Sequence, residues 1–169
     1  MSGENMFQVW KTIKLGTGLT TADDFRTAIE SAGMRIDDHV YENLLMPSIP
    51  AVMTCETEVE LVVATAPELG LDGRASLLDI YVRAKELGLE LCPAEVGPQL
   101  RLQYTNQPLY ERLYVAMEPV AGPDGYSHLY CVRAYERDDE TVLCLDGSSG
   151  ILDGEFGDGY QRFVFLRSK

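Results

Sequence analysis

The chain has 169 residues, 46% hydrophobic and 24% charged, proportions that suit a globular domain with room for a real core. Its 27 acidic residues outnumber 14 basic ones, and a net charge of −13 argues against a nucleic-acid or anionic-membrane surface, because binding phosphate needs Lys and Arg. The charge suits a well-solvated surface first, with a cationic partner, a metal or mimicry of DNA as weaker readings.

Residues 7–15 alternate, with Phe7, Val9, Lys11, Ile13 and Leu15 on one side and Gln8, Trp10, Thr12 and Lys14 on the other, which predicts a strand whose pattern breaks only at Lys11. Gly16 and Gly18 end it in a turn; the third glycine of a dinucleotide fingerprint is missing. A helix is predicted over 21–32, capped by Thr21 and closed by Gly33, with Phe25, Ala28, Ile29 and Ala32 as its apolar stripe. Asp37 caps a short second helix carrying Val40, Leu44 and Leu45, which Pro47 and Pro50 stop. Residues 58–64 alternate again, and Val62 makes the strand apolar on both faces, as in the middle of a sheet. After a loop over 67–73, Ser76 and Asp79 form a capping-box pattern at the head of the strongest helix, which stops at Gly88.

Beyond Gly88 the reading turns to strands. Gln99, Arg101 and Gln103 alternate with Leu100, Leu102 and Tyr104, which predicts a half-exposed strand with a polar row facing water. Further strands are expected near 113–117, 127–135, 140–146 and 162–167. A Pro123-Asp124-Gly125 turn, a hairpin loop at 136–139 and a glycine-rich loop over 147–159 separate them. Helices gathered early and strands late make this an α+β protein: an N-terminal strand and helices packed on a mostly antiparallel sheet formed largely by the C-terminal half. One domain over 1–169 is expected, with 1–91 and 92–169 as its two lobes.

The segment 89–104 concentrates chemistry between prolines and a glycine. Pro93 is placed to open a helical turn, which puts Glu95 in that first turn, where a carboxylate suits the helix dipole. Its functional reading is a general acid or base, with Glu118 at the end of a strand as the second carboxylate, the pair that glycoside hydrolysis needs. The row Gln99, Arg101 and Gln103 reads as the wet face of a sheet, or as a binding surface for a carboxylate or sugar hydroxyls, and Tyr114, on the strand face that Glu118 shares, is a further ligand-binding candidate. Cys92 as a nucleophile needs a base, and nothing ties His39 or His128 to it. His39, beside Asp38 on a short helix, reads as solvated or structural.

The four cysteines, Cys55, Cys92, Cys131 and Cys144, form no C-x-x-C pair, so no zinc or other metal site and no cofactor is predicted. Cys131 and Cys144 fall on neighbouring strands and read as small buried hydrophobes. The acidic loop 146–158 offers oxygen ligands for calcium without the EF-hand spacing, and a surface loop is its ordinary reading. Residues 1–6 lack the apolar core of a signal peptide, and no apolar run approaches the roughly 18 residues of a membrane span. A cytoplasmic protein with free thiols is the expectation.

Three segments are familiar together: 10–17 (WKTIKLGT), 56–63 (ETEVELVV) and 86–104 (ELGLELCPAEVGPQLRLQY). With 116–119 (AMEP) and 162–165 (RFVF), they resemble a group of short uncharacterised bacterial proteins from environmental genomes. The resemblance runs nearly end to end and implies a free-standing protein. It implies no activity and transfers no catalytic residue. The chain departs from the group over 37–46 and at Leu109-Tyr110.

Two functions follow. One is a binding or interaction module for an unknown small molecule, glycan or protein. The other is a small hydrolase acting on a glycan through Glu95 and Glu118.

Overall fold

The computed structural model describes residues 7–156 and 159–168. Strand β1 (Lys11–Leu15) buries Ile13 and Leu15 and leaves Thr12 and Lys14 outside, as its alternation predicts. Helix α1 (Ala22–Ser31) opens on a complete capping box: the Asp24 N–H donates to Thr21 Oγ1 while the Asp24 carboxylate accepts from the Thr21 N–H. Strand β2 (Arg35–Ile36) is short and leads into one continuous helical segment. That segment comprises α2 (Asp38–Val40), a π turn (Tyr41–Leu45), α3 (Met46–Ser48) and a 3₁₀ turn (Ile49–Ala51).

Two expectations change here. Asp37 makes no side-chain cap, because its carboxylate pairs with Arg35 at 3.3 Å. Pro47 does not stop the helix: it falls in the first turn of α3, directly after the π turn, and the helical backbone runs on through it.

Strand β3 (Thr57–Ala64) buries both Leu61 and Val62, as a strand covered on both faces should. Helix α4 (Leu77–Glu86) begins at the Ser76–Asp79 capping box, and β4 (Leu89–Glu90) follows. Next comes α5 (Val96–Gln103), where the sequence predicts a strand. The period-two pattern misleads because nearly every side of this segment is covered. Val96 and Leu100 join the core, while Glu95, Gln99 and Arg101 are buried with polar partners, so polarity no longer reports exposure. Gly97 permits the close approach to the sheet: a Cβ there would stand 2.4 Å from the Tyr130 ring.

The remaining strands are β5 (Arg112–Val115), β6 (Val120–Ala121), β7 (Ser127–Arg137), β8 (Glu140–Ser149) and β9 (Arg162–Arg167). The β7–β8 hairpin is longer than predicted. It turns on Asp138 and Asp139 alone, both at positive φ, the backbone of a tight primed turn.

The fold is α+β, but its sheet is mixed where the sequence predicts a mostly antiparallel one. The strand order is β1-β3-β9-β5-β7-β8-β2, with β4 also on β9 and β6 also on β7. Strand β5 runs parallel to β9, and β2 runs parallel to β8. The last strand of the chain thus sits between β3 and β5, so N-terminal and C-terminal halves share one sheet. Helix α5 lies against β1, β7 and β8, and α1 packs on α5 and β2.

Candidate functional site

Glu95, at the head of α5, is 2% exposed. Its Oε2 accepts from the Gly16 N–H (2.7 Å) and from Gln99 Nε2 (3.0 Å), and its Oε1 accepts from the Met53 N–H (2.7 Å). Gln99 Nε2 also donates to Thr17 Oγ1 (2.9 Å). Gln103 Nε2 donates to Gln99 Oε1 (3.0 Å) and to the Lys14 carbonyl (2.8 Å), and its Oε1 accepts from the Lys14 N–H (2.9 Å). Residues 95, 99 and 103 repeat every four positions, so they share one stripe of α5. The stripe fastens the helix to β1 and the loop after it.

Arg101 is fully buried. It donates to Gln107 Oε1 (2.7 Å) and to the carbonyls of Tyr104 (2.6 Å) and Arg133 (3.2 Å). Burial lowers its pKa to about 10, so it remains cationic at neutral pH. The polar row predicted to face water is thus spent on internal hydrogen bonds.

Glu118 is exposed, on a groove with Pro47, Leu91, Pro93 and Val120. Glu95 turns instead toward Gly16 and Met53. Tyr114 is half-buried, stands edge-on to Phe156 at 5.0 Å between ring centres, and borders two surface hollows, one with Arg112 and Arg162 and one with Ser148 and Glu155. Cys92 is buried and donates to the Val164 carbonyl at 3.4 Å, and burial pushes its thiol well above the usual range. Asp146 belongs to β8 and pairs with Arg133 at 2.7 Å, while Asp158, the other end of the calcium candidate, lies outside the described residues.

The fold makes a different constellation. Strand β2 ends at Ile36 after pairing with Cys144 and Leu145, so the β8 residues beyond are covered by the helical segment and not by a strand. Between them opens a cavity of about 260 Å³, whose walls include Val40, Leu44, Tyr126, Gly147, Ser148 and Ile151. Gly147 lies where the walls converge: a Cβ there would stand 3.1 Å from Leu44 Cδ1, and the leucine would have to give way slightly.

His39 from α2 and His128 from β7 also line this cavity, and the carboxylate of Asp124, in the turn between β6 and β7, approaches Nε2 of both. His128 Nε2 lies 2.8 Å from Asp124 Oδ2 and 3.0 Å from Oδ1, and His39 Nε2 lies 3.5 Å from the same Oδ2. The two imidazoles meet edge to face, 5.5 Å between centres. Buried Asn43, in the π turn, organises them. Its Oδ1 accepts from the Asp124 N–H (3.0 Å), and its Nδ2 donates to the His39 carbonyl (3.0 Å) and lies 3.2 Å from His39 Nδ1. The Tyr126 N–H donates to Asp124 Oδ1 (3.0 Å). The hydrogen bond from His128, joined by that from Tyr126, holds the Asp124 carboxyl below its ordinary pKa against the opposing effect of burial.

No family model, curated protein or solved structure matches the chain. The geometry of the site is therefore the ground for its reading. The sequence does not connect the two histidines, because 89 residues separate them. Two weak signals were there: His39 and Asn43 stand four apart on a helix, and Asp124 and His128 stand four apart across a turn.

Among the described residues, no helix is long and apolar enough to cross a membrane.

Proposed function

We propose that this is a binding protein for a small molecule, and that the molecule sits in the cavity between the helical segment and the end of the β7–β8 hairpin. The observation that carries this reading is the convergence of His39, Asn43, Asp124 and His128, two elements contributing imidazoles around one carboxylate, beside a cavity with apolar walls. Binding sites combine apolar walls with a few placed polar groups in this manner, and a volume of about 260 Å³ falls just below the roughly 300–1,000 Å³ of sites for drug-sized ligands. The ligand is then a compact molecule with an apolar body against Val40, Leu44 and Ile151 and a hydrogen-bonding edge toward the imidazoles. The surroundings of Glu95 favour a structural duty over acid–base work, since its carboxylate already accepts three N–H groups.

The test is a thermal-shift screen of compact aromatic and heteroaromatic acids, amines and amides, run on the wild-type protein and on Ser148→Phe, which places a ring at the cavity wall. A ligand at about 100 times its Kd stabilises by roughly 2.7 kcal/mol, a rise of about 5–10 °C for a chain of this size. The expected result is a hit on the wild type that Ser148→Phe loses. Equal shifts in both proteins, or no shift in either, would refute the cavity as the site.

A further inference from the structure

Asp124 is oriented by its surroundings. Its N–H is fixed to Asn43, its Oδ1 takes the Tyr126 N–H and lies 3.0 Å from His128 Nε2, and its Oδ2 is the oxygen nearest to both histidines. One ligand atom from each of His39, Asp124 and His128 lies within 4.8 Å of the others. Bonds of about 2.0–2.1 Å at tetrahedral angles separate ligand atoms by roughly 3.3 Å. The 3.5 Å from His39 Nε2 to Asp124 Oδ2 is already close to that, and the 2.8 Å from His128 Nε2 requires a small opening. The His128 side chain is only 12% exposed and Asp124 22%, whereas His39, at 64%, has room to swing in as the closing ligand.

We propose that His39 Nε2, His128 Nε2 and Asp124 Oδ2 bind one first-row divalent ion, Zn²⁺ being the reference ion, with its remaining coordination positions open toward the cavity. Two imidazole nitrogens and one carboxylate oxygen suit such an ion and do not suit Ca²⁺ or Mg²⁺, which take mainly oxygen ligands. Three protein ligands with a position left open are the arrangement of sites where an ion receives a further molecule. Asn43 ties the two sides of the site together through backbone, its Oδ1 accepting from the Asp124 N–H and its Nδ2 donating to the His39 carbonyl.

The inference extends the cavity reading above by naming what stands at its mouth. Its test uses no organic ligand, so a failed ligand screen would leave the ion site standing and a failed titration would leave the cavity standing. The exposed thiol of Cys55 is a competing soft ligand, so the full-length Cys55→Ser protein is the parent. After chelator treatment it is titrated with ZnCl₂ by calorimetry.

The expected result is one equivalent bound with a micromolar or tighter Kd. His39→Ala, His128→Ala and Asp124→Asn should each weaken it at least tenfold, while Glu140→Gln at the hairpin tip binds as the parent does. His39 is exposed, so His39→Ala keeps the test decisive even if His128→Ala folds poorly. Absence of binding to the parent, equal affinity of His39→Ala and the parent, or Ca²⁺ binding as tightly as Zn²⁺ would each overturn the proposal.

Discussion

Gln103 gives Lys14 the two hydrogen bonds that a neighbouring strand would. Its side-chain oxygen accepts from the Lys14 N–H at 2.9 Å and its amide donates to the Lys14 carbonyl at 2.8 Å, on the side of β1 that faces away from β3. Strand β1 stands at the end of the sheet, where unpaired backbone is a template for association with other chains. A single helical side chain thus blunts an edge. Gln103→Ala should lower stability by about 1–2 kcal/mol and raise the tendency to self-associate. Urea titration and light scattering at increasing concentration check both; unchanged stability with no association would show that the edge needs no cover.

Glu95 tests the structural reading against the catalytic one. A glutamine at this position retains one acceptor oxygen and places an NH₂ against the N–H of Gly16 or Met53. Hydrogen bonds to charged groups contribute about 1.5–3 kcal/mol each, so Glu95→Gln should destabilise by roughly 2–4 kcal/mol. Chemical denaturation measures it. A variant with native stability would show that these hydrogen bonds do not hold Glu95 in a structural role.

Arg101 holds the turn after α5 to the β7 backbone. Arg101→Met strips Gln107 Oε1 and the Tyr104 carbonyl of the guanidinium's hydrogen bonds in a dry interior, and it should lower stability by about 2–4 kcal/mol. Arg101→Lys should also fall below wild type, because an ammonium cannot span acceptors placed for a planar fork. Calorimetric Tm values should fall by several degrees for both; a fully stable lysine variant would mean that charge alone matters here.

Gly97 sets how near α5 comes to β7. Gly97→Ala would drive a methyl group into the Tyr130 ring, which also exchanges a hydrogen bond with Ser48 at 2.8 Å. Overpacking of this kind costs about 1–3 kcal/mol. Tyr130→Val in the same chain should relieve part of the loss, since two residues in contact do not act additively. Strict additivity in a double-mutant cycle would place the fault elsewhere.

The thiols should divide into two classes. Cys55 is exposed, whereas Cys92, Cys131 and Cys144 are buried. Burial raises Cys131 to about 12 and Cys144 to about 11, which leaves little thiolate at neutral pH. A thiol reagent at pH 8 should titrate one group rapidly in the native protein and all four in denaturant. Rapid reaction of Cys92 would contradict its buried place.

Local rules account for the parts of this protein that the sequence determined. The capping boxes at Thr21 and Ser76, the stops at Gly33 and Gly88, the alternation of Ile13 and Leu15 and the turn at Pro123-Asp124-Gly125 depend on neighbours a few residues away, and each appears in the fold. Tertiary structure decided the rest. Alternation in 99–104 could not reveal a helix, because Gln99 and Arg101 are buried against partners up to 82 residues distant. The parallel pairing of β5 with β9 depends on the last strand entering between β3 and β5. The meeting of His39 with His128 depends on β2 ending after two residues, so that α2 lies beside the start of β7. Periodicity records which faces are covered only where polar residues face water, whereas polar residues buried against distant partners are placed by contacts far along the chain.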